Sequence, residues 1–214
     1  ATDMKKRLAI LGATGSIGQS ALDVVRSLSD RFEISALTAR SRWKDGLKLA
    51  VEANAPLLIV ESDEDARSAR RIAPPGLEVQ SGSAALDAVC RQPDIDIVLN
   101  AIVGIAGLAP TLAAVESGKR VALANKESLV AGGSIIAAAA QRSGAEILPV
   151  DSEHCALFQC LKTGRREELD RLILTASGGP FFGMTREMLA RATPADALRH
   201  PTWTMGRKIT IDSA

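Results

Sequence analysis

The stretch Arg7-Leu8-Ala9-Ile10-Leu11-Gly12-Ala13-Thr14-Gly15-Ser16-Ile17-Gly18 decides the fold. Arg7 to Leu11 has the length and apolar character of a buried strand. Three glycines follow, and then Ile17, Ala21, Leu22, Val25 and Leu28 recur with the period of a helix. Strand, glycine turn and helix in that order form the context in which a glycine motif gains meaning. The glycines allow a tight turn and the close approach of a pyrophosphate, which then sits on the helix N-terminus. Gly12 and Gly15 are therefore candidate cofactor-binding residues. The spacing is G-x-x-G-x-x-G, a variant of the G-x-G-x-x-G dinucleotide fingerprint, and a plain tight turn is the alternative.

Working outward, a second strand from Phe32 to Thr38 runs into Ala39-Arg40-Ser41-Arg42. An NAD site carries Asp or Glu here for the ribose 2′-hydroxyl. Arg40, Ser41 and Arg42 suit a 2′-phosphate instead, since the guanidinium fork matches phosphate oxygens and its charge is permanent. The expected cofactor is NADPH; the alternative is two solvated surface arginines.

The remainder alternates. Helices are expected at Lys44–Asn54, Asp63–Ile72, Ser83–Arg91 and Ile105–Ser117, the last closed by Gly118. Strands are expected at Leu57–Val60, Leu77–Gln80, Ile95–Ala101, Arg120–Ala124 and Ala145–Val150. Such alternation means βα units on a parallel sheet, an α/β, Rossmann-like fold. At 214 residues the chain can bury a sizeable core, and with 3% aromatic residues and no Tyr that core must be aliphatic. A net charge of +1 gives no reason to expect nucleic acid or a membrane surface as partner. No apolar run reaches transmembrane length, and no signal-peptide pattern opens the chain. Cys90, Cys155 and Cys160 are odd in number and irregularly spaced, as reduced cytoplasmic thiols would be.

Polar clusters fall at strand ends, where α/β folds bind ligands. Asn125-Lys126-Glu127-Ser128 follows one strand; Lys126 suits a substrate hydroxyl or phosphate, and helix capping is the alternative. Asp151-Ser152-Glu153-His154 follows the next. In an extended segment Asp151 and Glu153 point to one side and form a hard-oxygen pair suited to Mg²⁺ or Mn²⁺. The alternative is a helix N-cap with Glu153 favoured by the dipole. A strand at Arg171–Ala176 is expected to deliver Ser177-Gly178-Gly179-Pro180, an anion-binding loop. After a short helix at Arg186–Arg191, His200-Pro-Thr-Trp203-Thr-Met205-Gly206 reads as a loop, with Trp203 either in a lid or buried as core. Lys208–Ile211 alternates as a strand and leads to Ser213.

These runs resemble the 1-deoxy-D-xylulose 5-phosphate reductoisomerase family. The matching stretches are Leu11–Gly18, Ala124–Leu129, Leu148–His154, Thr175–Phe181 and His200–Lys208, in the family's order. The resemblance implies an NADPH-binding Rossmann-like domain at residues 1–149 and, at 150–214, the start of an α+β catalytic domain with a flexible flap. It implies an NADPH- and Mg²⁺- or Mn²⁺-dependent cytoplasmic homodimer (in the plastid stroma for a plastid-bearing source). Such an enzyme converts 1-deoxy-D-xylulose 5-phosphate, a phosphorylated sugar, to 2-C-methyl-D-erythritol 4-phosphate for isoprenoid synthesis. By the same resemblance Asp151 and Glu153 are metal ligands, and Lys126, Ser152, Ser177, His200 and Ser213 contact substrate, with Glu153 also at the reacting centre. By that resemblance too, Thr14, Gly15, Ser16 and Ile17 line the cofactor pyrophosphate, Asn125, Glu127 and Gly206 also lie at the cofactor, and Trp203 and Met205 belong to the flap.

Two departures stand out. Relatives often have Gly-Lys-Asn or Asn-Arg-Asn where this chain has Arg40-Ser41-Arg42. Family members are also nearly twice as long, and the extension beyond Asp-Ser-Ala carries a third carboxylate ligand, so the expectation is that these 214 residues alone are inactive. An NADP-binding module without catalysis, or another NADPH reductase, are the competing readings. The acidic cluster, Ser177-Gly-Gly and the flap argue against a mere binder, which needs none of them.

Overall fold

Among the described residues every β-strand runs parallel to its neighbours, which forces each connection to cross back over the sheet. The structure is a computed structural model and describes residues 4–175, 178–204 and 206–213. It divides into two units, residues 1–155 and 156–214.

The first unit carries a seven-stranded sheet in the order β4-β3-β2-β1-β5-β6-β7. The strands are β1 (Lys6–Leu11), β2 (Phe32–Ala39), β3 (Leu57–Val60), β4 (Glu78–Ser81), β5 (Ile97–Asn100), β6 (Arg120–Leu123) and β7 (Glu146–Pro149). The crossovers are α1 (Ser16–Ser27), α2 (Trp43–Glu52), α3 (Asp63–Arg70), α4 (Gly82–Arg91), α5 (Leu108–Glu116) and α6 (Lys126–Ser143). Strands buried on both faces read as unbroken apolar runs, and the period of two divides them between two cores. Leu8, Ile10, Leu58 and Val60 pack with α1, α2 and α3, while Ala9, Leu11, Leu57 and Ile59 pack with α4, α5 and α6. Sheet order reverses between β1 and β5, and the crevice beyond their carboxyl ends is where such a fold takes its ligand.

Several boundaries shift by a residue or two, and two elements differ more. The helix expected from Ile105 opens as a 3-10 turn at Gly104–Gly107, and α5 starts at Leu108. Strand β5 is shorter than Ile95–Ala101, because only Ile97–Asn100 find ladder partners on β1 and β6.

The second unit is built differently. Helix α7 (Ser152–Leu161) leads into it, followed by a 3-10 turn at Arg166–Glu168 and the short helices α8 (Arg186–Leu189), α9 (Pro194–Ala197) and α10 (Arg207–Asp212). Thr185 and Thr193 cap α8 and α9 by accepting from the N–H groups of Met188 and Asp196. Among the described residues of this unit only Gly179 and Thr210 are buried. Two expected strands are absent. Arg171–Thr175 has no regular structure, and Leu172, Ile173 and Leu174 are exposed. An apolar run becomes a strand only when a neighbour completes its ladder, and no described residue does so. Lys208–Ile211 lies inside α10, where the Thr210 N–H donates to the Gly206 carbonyl at 3.0 Å. Without a strand beside it, this segment satisfies its backbone locally.

Asp96 ties the start of β1 to the approach of β5. Its carboxylate accepts from the Arg7 N–H at 2.8 Å and from Lys6 Nζ at 3.1 Å. Burial pushes its pKa up, but the Arg7 N–H, the Lys6 hydrogen bond and charge, and the Lys119 charge together hold it below the ordinary Asp value. A carboxyl depressed on folding stabilises above its unfolded pKa of about 4 and loses that contribution as pH falls through its folded value. Asp96→Asn should therefore cost about 1 kcal/mol at neutral pH, after allowance for the exposure of the pair. The deficit against the parent should close under acid. Urea denaturation across that pH range tests this, and a pH-independent deficit would contradict it.

Candidate functional site

The glycine turn is shaped by what surrounds it. Gly12 has φ +82°, and a β-carbon there would lie 2.9 Å from the Ala101 carbonyl oxygen just past β5. Its N–H donates to Thr38 Oγ1 at 2.9 Å, and the Ala13 N–H donates to the Thr38 carbonyl at 2.9 Å. A β-carbon on Gly18 would lie 2.6 Å from the Gly12 oxygen, so α1 packs directly on the turn. Gly15 caps α1 without a side chain, and the first turn of α1 contains no acidic residue. Free N–H groups at an uncrowded helix N-terminus hold an anion well.

Arg40, Ser41 and Arg42 follow β2 at the same edge. Arg42 Nη2 donates to the Thr14 carbonyl, which also accepts from Gln19 Nε2 at 3.2 Å. Arg40 Nε donates to Glu61 Oε1 at 2.8 Å.

Beyond β5, two buried asparagines hold the chain. Asn100 donates to the Gly107 carbonyl at 2.8 Å and to Thr111 Oγ1 at 2.7 Å, and accepts from the Ile102 N–H at 3.1 Å. Asn125 is the N-cap of α6: its Oδ1 accepts from the Ser128 N–H at 2.8 Å and from the Ser128 hydroxyl. Its Nδ2 donates to the carbonyls of Ile102 and Gly104. The Asn125 side chain, 2% exposed, is thus taken up by the protein itself. Glu127 is half-buried in the first turn of α6.

The acidic cluster takes the helix-cap alternative of its sequence. Asp151 lies just ahead of α7 and accepts from the His154 N–H at 3.3 Å, as a cap does. Glu153 stands in the first turn of α7, so the extended geometry expected for 151–153 is replaced by the start of a helix. The capping bond supplies the reason, since it satisfies a helix N–H that an extended segment would leave to water. Lys126 Nζ, at the start of α6, lies 3.2 Å from Asp151 Oδ2, and His154 Nδ1 lies 3.4 Å from Oδ1. Burial raises the Asp151 pKa, but the His154 N–H, Lys126 and His154 outweigh it, and the carboxyl sits below the usual Asp value. Ser152 Oγ donates to Glu153 Oε2 at 3.4 Å. Among the described residues no three His, Cys, Asp or Glu side chains converge as a full metal site.

In the second unit, Ser177 and Met205 lie outside the described residues. Gly178 and Gly179 adopt φ +85° and +64°, a bend suited to glycine. His200 Nδ1 accepts from the N–H groups of Thr202 and Trp203 at 3.1 and 2.9 Å, leaving Nε2 as the ring's other edge. Trp203 is 60% exposed, which excludes the core alternative within this chain. Gly206 is exposed, and its carbonyl accepts from Thr210 Oγ1 at 3.0 Å; the Ser213 hydroxyl donates to the Thr210 carbonyl at 2.8 Å.

A cleft of about 610 Å³ between α1 and α2, lined by Leu22, Val25, Phe32 and Leu49 with Arg7 and Glu33, opens at the amino end of β2, away from the glycine turn.

Comparison with known proteins fits this geometry. Residues 8–133 match the sequence profile of 1-deoxy-D-xylulose 5-phosphate reductoisomerase, and residues 147–214 match that of its C-terminal domain. The chain belongs to the 1-deoxy-D-xylulose 5-phosphate reductoisomerase family. A reductoisomerase of Heliobacterium modesticaldum is 50% identical over 215 residues, spanning 99% of this chain and 54% of the relative. One from Anaeromyxobacter sp. strain K is 52% identical, over 98% of this chain and 54% of its own length. The chain thus spans about half the length of the curated relatives it matches. Among solved structures, the Zymomonas mobilis reductoisomerase in complex with NADPH superposes with TM-score 0.89 at 40% identity, over 99% of this chain and 54% of that one. A reductoisomerase in complex with NADPH, fosmidomycin and magnesium superposes with TM-score 0.87 at 42% identity, over 97% of this chain and 54% of that one.

Three side chains that bond to or beside the candidate residues escaped the sequence reading: Asn100, Thr111 and Glu61. A polar residue at a strand end was the signal for Asn100, but its partners Gly107 and Thr111 are brought to it only by the 3-10 turn. Asn125→Ala would orphan the carbonyls of Ile102 and Gly104 and uncap α6. It should cost about 2–3 kcal/mol in thermal or urea unfolding. A loss no larger than that of an exposed helix substitution would deny Asn125 its place as the clasp.

Proposed function

We propose that this chain supplies the NADPH-binding segment, residues 1–149, and part of the metal- and substrate-binding segment, residues 150–214, of a 1-deoxy-D-xylulose 5-phosphate reductoisomerase. The reaction is rearrangement of 1-deoxy-D-xylulose 5-phosphate followed by reduction to 2-C-methyl-D-erythritol 4-phosphate. The observation that carries this reading is the glycine turn with its acid-free helix start beside Arg40 and Arg42. That arrangement fits an NADP-type dinucleotide, and similar chains are known in complex with NADPH, fosmidomycin and magnesium.

In this reading the N–H groups around Thr14, Gly15, Ser16 and Ile17 receive the pyrophosphate, and the absence of a side chain at Gly12 keeps the turn close to the segment after β5. Arg40, Ser41 and Arg42 receive the 2′-phosphate. Asn125 acts by holding the segment from Ile102 to Gly104, with Glu127 and Gly206 also toward the cofactor. Bound NADPH would supply the hydride. Lys126 offers an ammonium to a substrate oxygen while Asp151 fixes its position. As an Asp carboxylate, Asp151 is ionised at neutral pH, as a hard-oxygen ligand must be. Asp151 and Glu153 fit part of a Mg²⁺ or Mn²⁺ shell, the rest falling to water, substrate and a further carboxylate. Ser152, Ser177, His200 and Ser213 hold substrate, the serines at 177 and 213 near its phosphate, and Trp203 and Met205 form a flap that excludes water from it. A homodimer in the cytoplasm completes the proposal. No helix among the described residues is long and apolar enough to cross a membrane.

Two experiments test this. The 214-residue chain should bind NADPH yet fail to oxidise it with 1-deoxy-D-xylulose 5-phosphate and Mn²⁺, whereas a chain extended to the relatives' length should do so and stop on adding chelator. Chelator-sensitive turnover by the short chain would keep the reaction and discard the incompleteness; no NADPH binding would discard the whole reading. Second, Arg40→Ala combined with Arg42→Ala should narrow the preference for NADPH over NADH by about tenfold or more, as expected for loss of charge-assisted bonds to a phosphate. An unchanged ratio of dissociation constants would remove both arginines from the 2′-phosphate pocket.

A further inference from the structure

Arg40 and Glu61 meet for a reason of register. Ala39 of β2 pairs with Val60 of β3 at the last rung of their ladder, so the next residue of each strand emerges side by side beyond the sheet. Arg40 Nε donates to Glu61 Oε1 at 2.8 Å, and both side chains are exposed. A carboxylate therefore stands at the ribose end of the cofactor crevice, but one strand further out than in an NAD site, where it follows β2 itself. The arginine has taken the position after β2, and the acid neutralises it from β3.

We propose that Glu61 is a specificity-determining residue for the cofactor, competing with the 2′-phosphate for Arg40 and limiting the strength of the NADPH preference. This rests on the reading of Arg40 as a 2′-phosphate residue. A phosphate entering here must share the guanidinium with Glu61 or displace it, and it meets like charge in either case. NADH carries a neutral hydroxyl at that point and meets no such opposition. Between exposed groups a few ångströms apart this repulsion amounts to a change of about three- to tenfold in affinity, and salt reduces it. The Nη groups of Arg40 remain donors for phosphate oxygens, since the Glu61 bond uses Nε.

Glu61→Gln separates charge from geometry, because the amide oxygen can still accept from Nε. The dissociation constants of NADPH and NADH, measured by fluorescence titration or calorimetry at low and at physiological salt, give the test. Glu61→Gln should tighten NADPH about three- to tenfold at low salt and less at higher salt, with NADH within about twofold of the parent. Arg40→Ala, measured in parallel, should weaken NADPH alone. If Arg40→Ala is selective and Glu61→Gln leaves NADPH unchanged or weaker, the role of Glu61 is overturned while the pocket stands. If Arg40→Ala leaves the NADPH to NADH ratio unchanged, the pocket and the Glu61 proposal fall together.

Discussion

The backbone contact between Gly12 and Ala101 constrains the rest of the structure. Two strand ends leave the sheet at the reversal of its order, and their first residues run closer than any side chain at Gly12 would allow. The same turn is pressed from the other side by α1 through Gly18. One bulky residue at either glycine would push apart β1, β5 and α1, which together make the floor and wall of the crevice. The small residues here leave the start of α1 uncovered by side chains.

Around that contact the polar groups divide the work. Asn100, Thr111, Asn125 and Ser128 are buried and bonded to each other or to the chain between Ile102 and Gly107. Buried amides with all partners supplied rigidify their surroundings, and here they rigidify the stretch that approaches Gly12. Lys126, one residue beyond Asn125, is half-exposed and ion-paired to Asp151. The start of α6 thus carries a structural side chain and a chemically available one next to each other, and capping fixes where the second begins.

Thiol chemistry has no evident part in this arrangement. None of the three cysteines is in a disulfide, and burial foremost, with the Asp87 charge, pushes the Cys90 thiol up to about 12. A thiol held protonated in an aliphatic core behaves as a small hydrophobe.

The sequence by itself determined the doubly wound sheet, because the alternation of apolar runs with helical periods from Arg7 to Val150 is enforced by burial on both faces of the inner strands. It also determined which strand ends carry polar or glycine-rich clusters: the glycine turn, Arg40 to Arg42, Asn125 to Ser128 and Asp151 to His154 all follow the strands that their spacing assigned. Past residue 155 the pattern misled, since the short apolar runs at Arg171–Thr175 and Lys208–Ile211 are strands only if another strand completes their ladders. Only the tertiary structure decided the pairings that depend on distant chain segments. It turned Asp151 into a cap held by Lys126, gave Asn125 to the loop after β5 and set Glu61 beside Arg40. Side-chain period is a local property that hydrophobic burial reads directly, whereas the partner of a polar group is chosen by register and crossover and cannot be read from either residue alone.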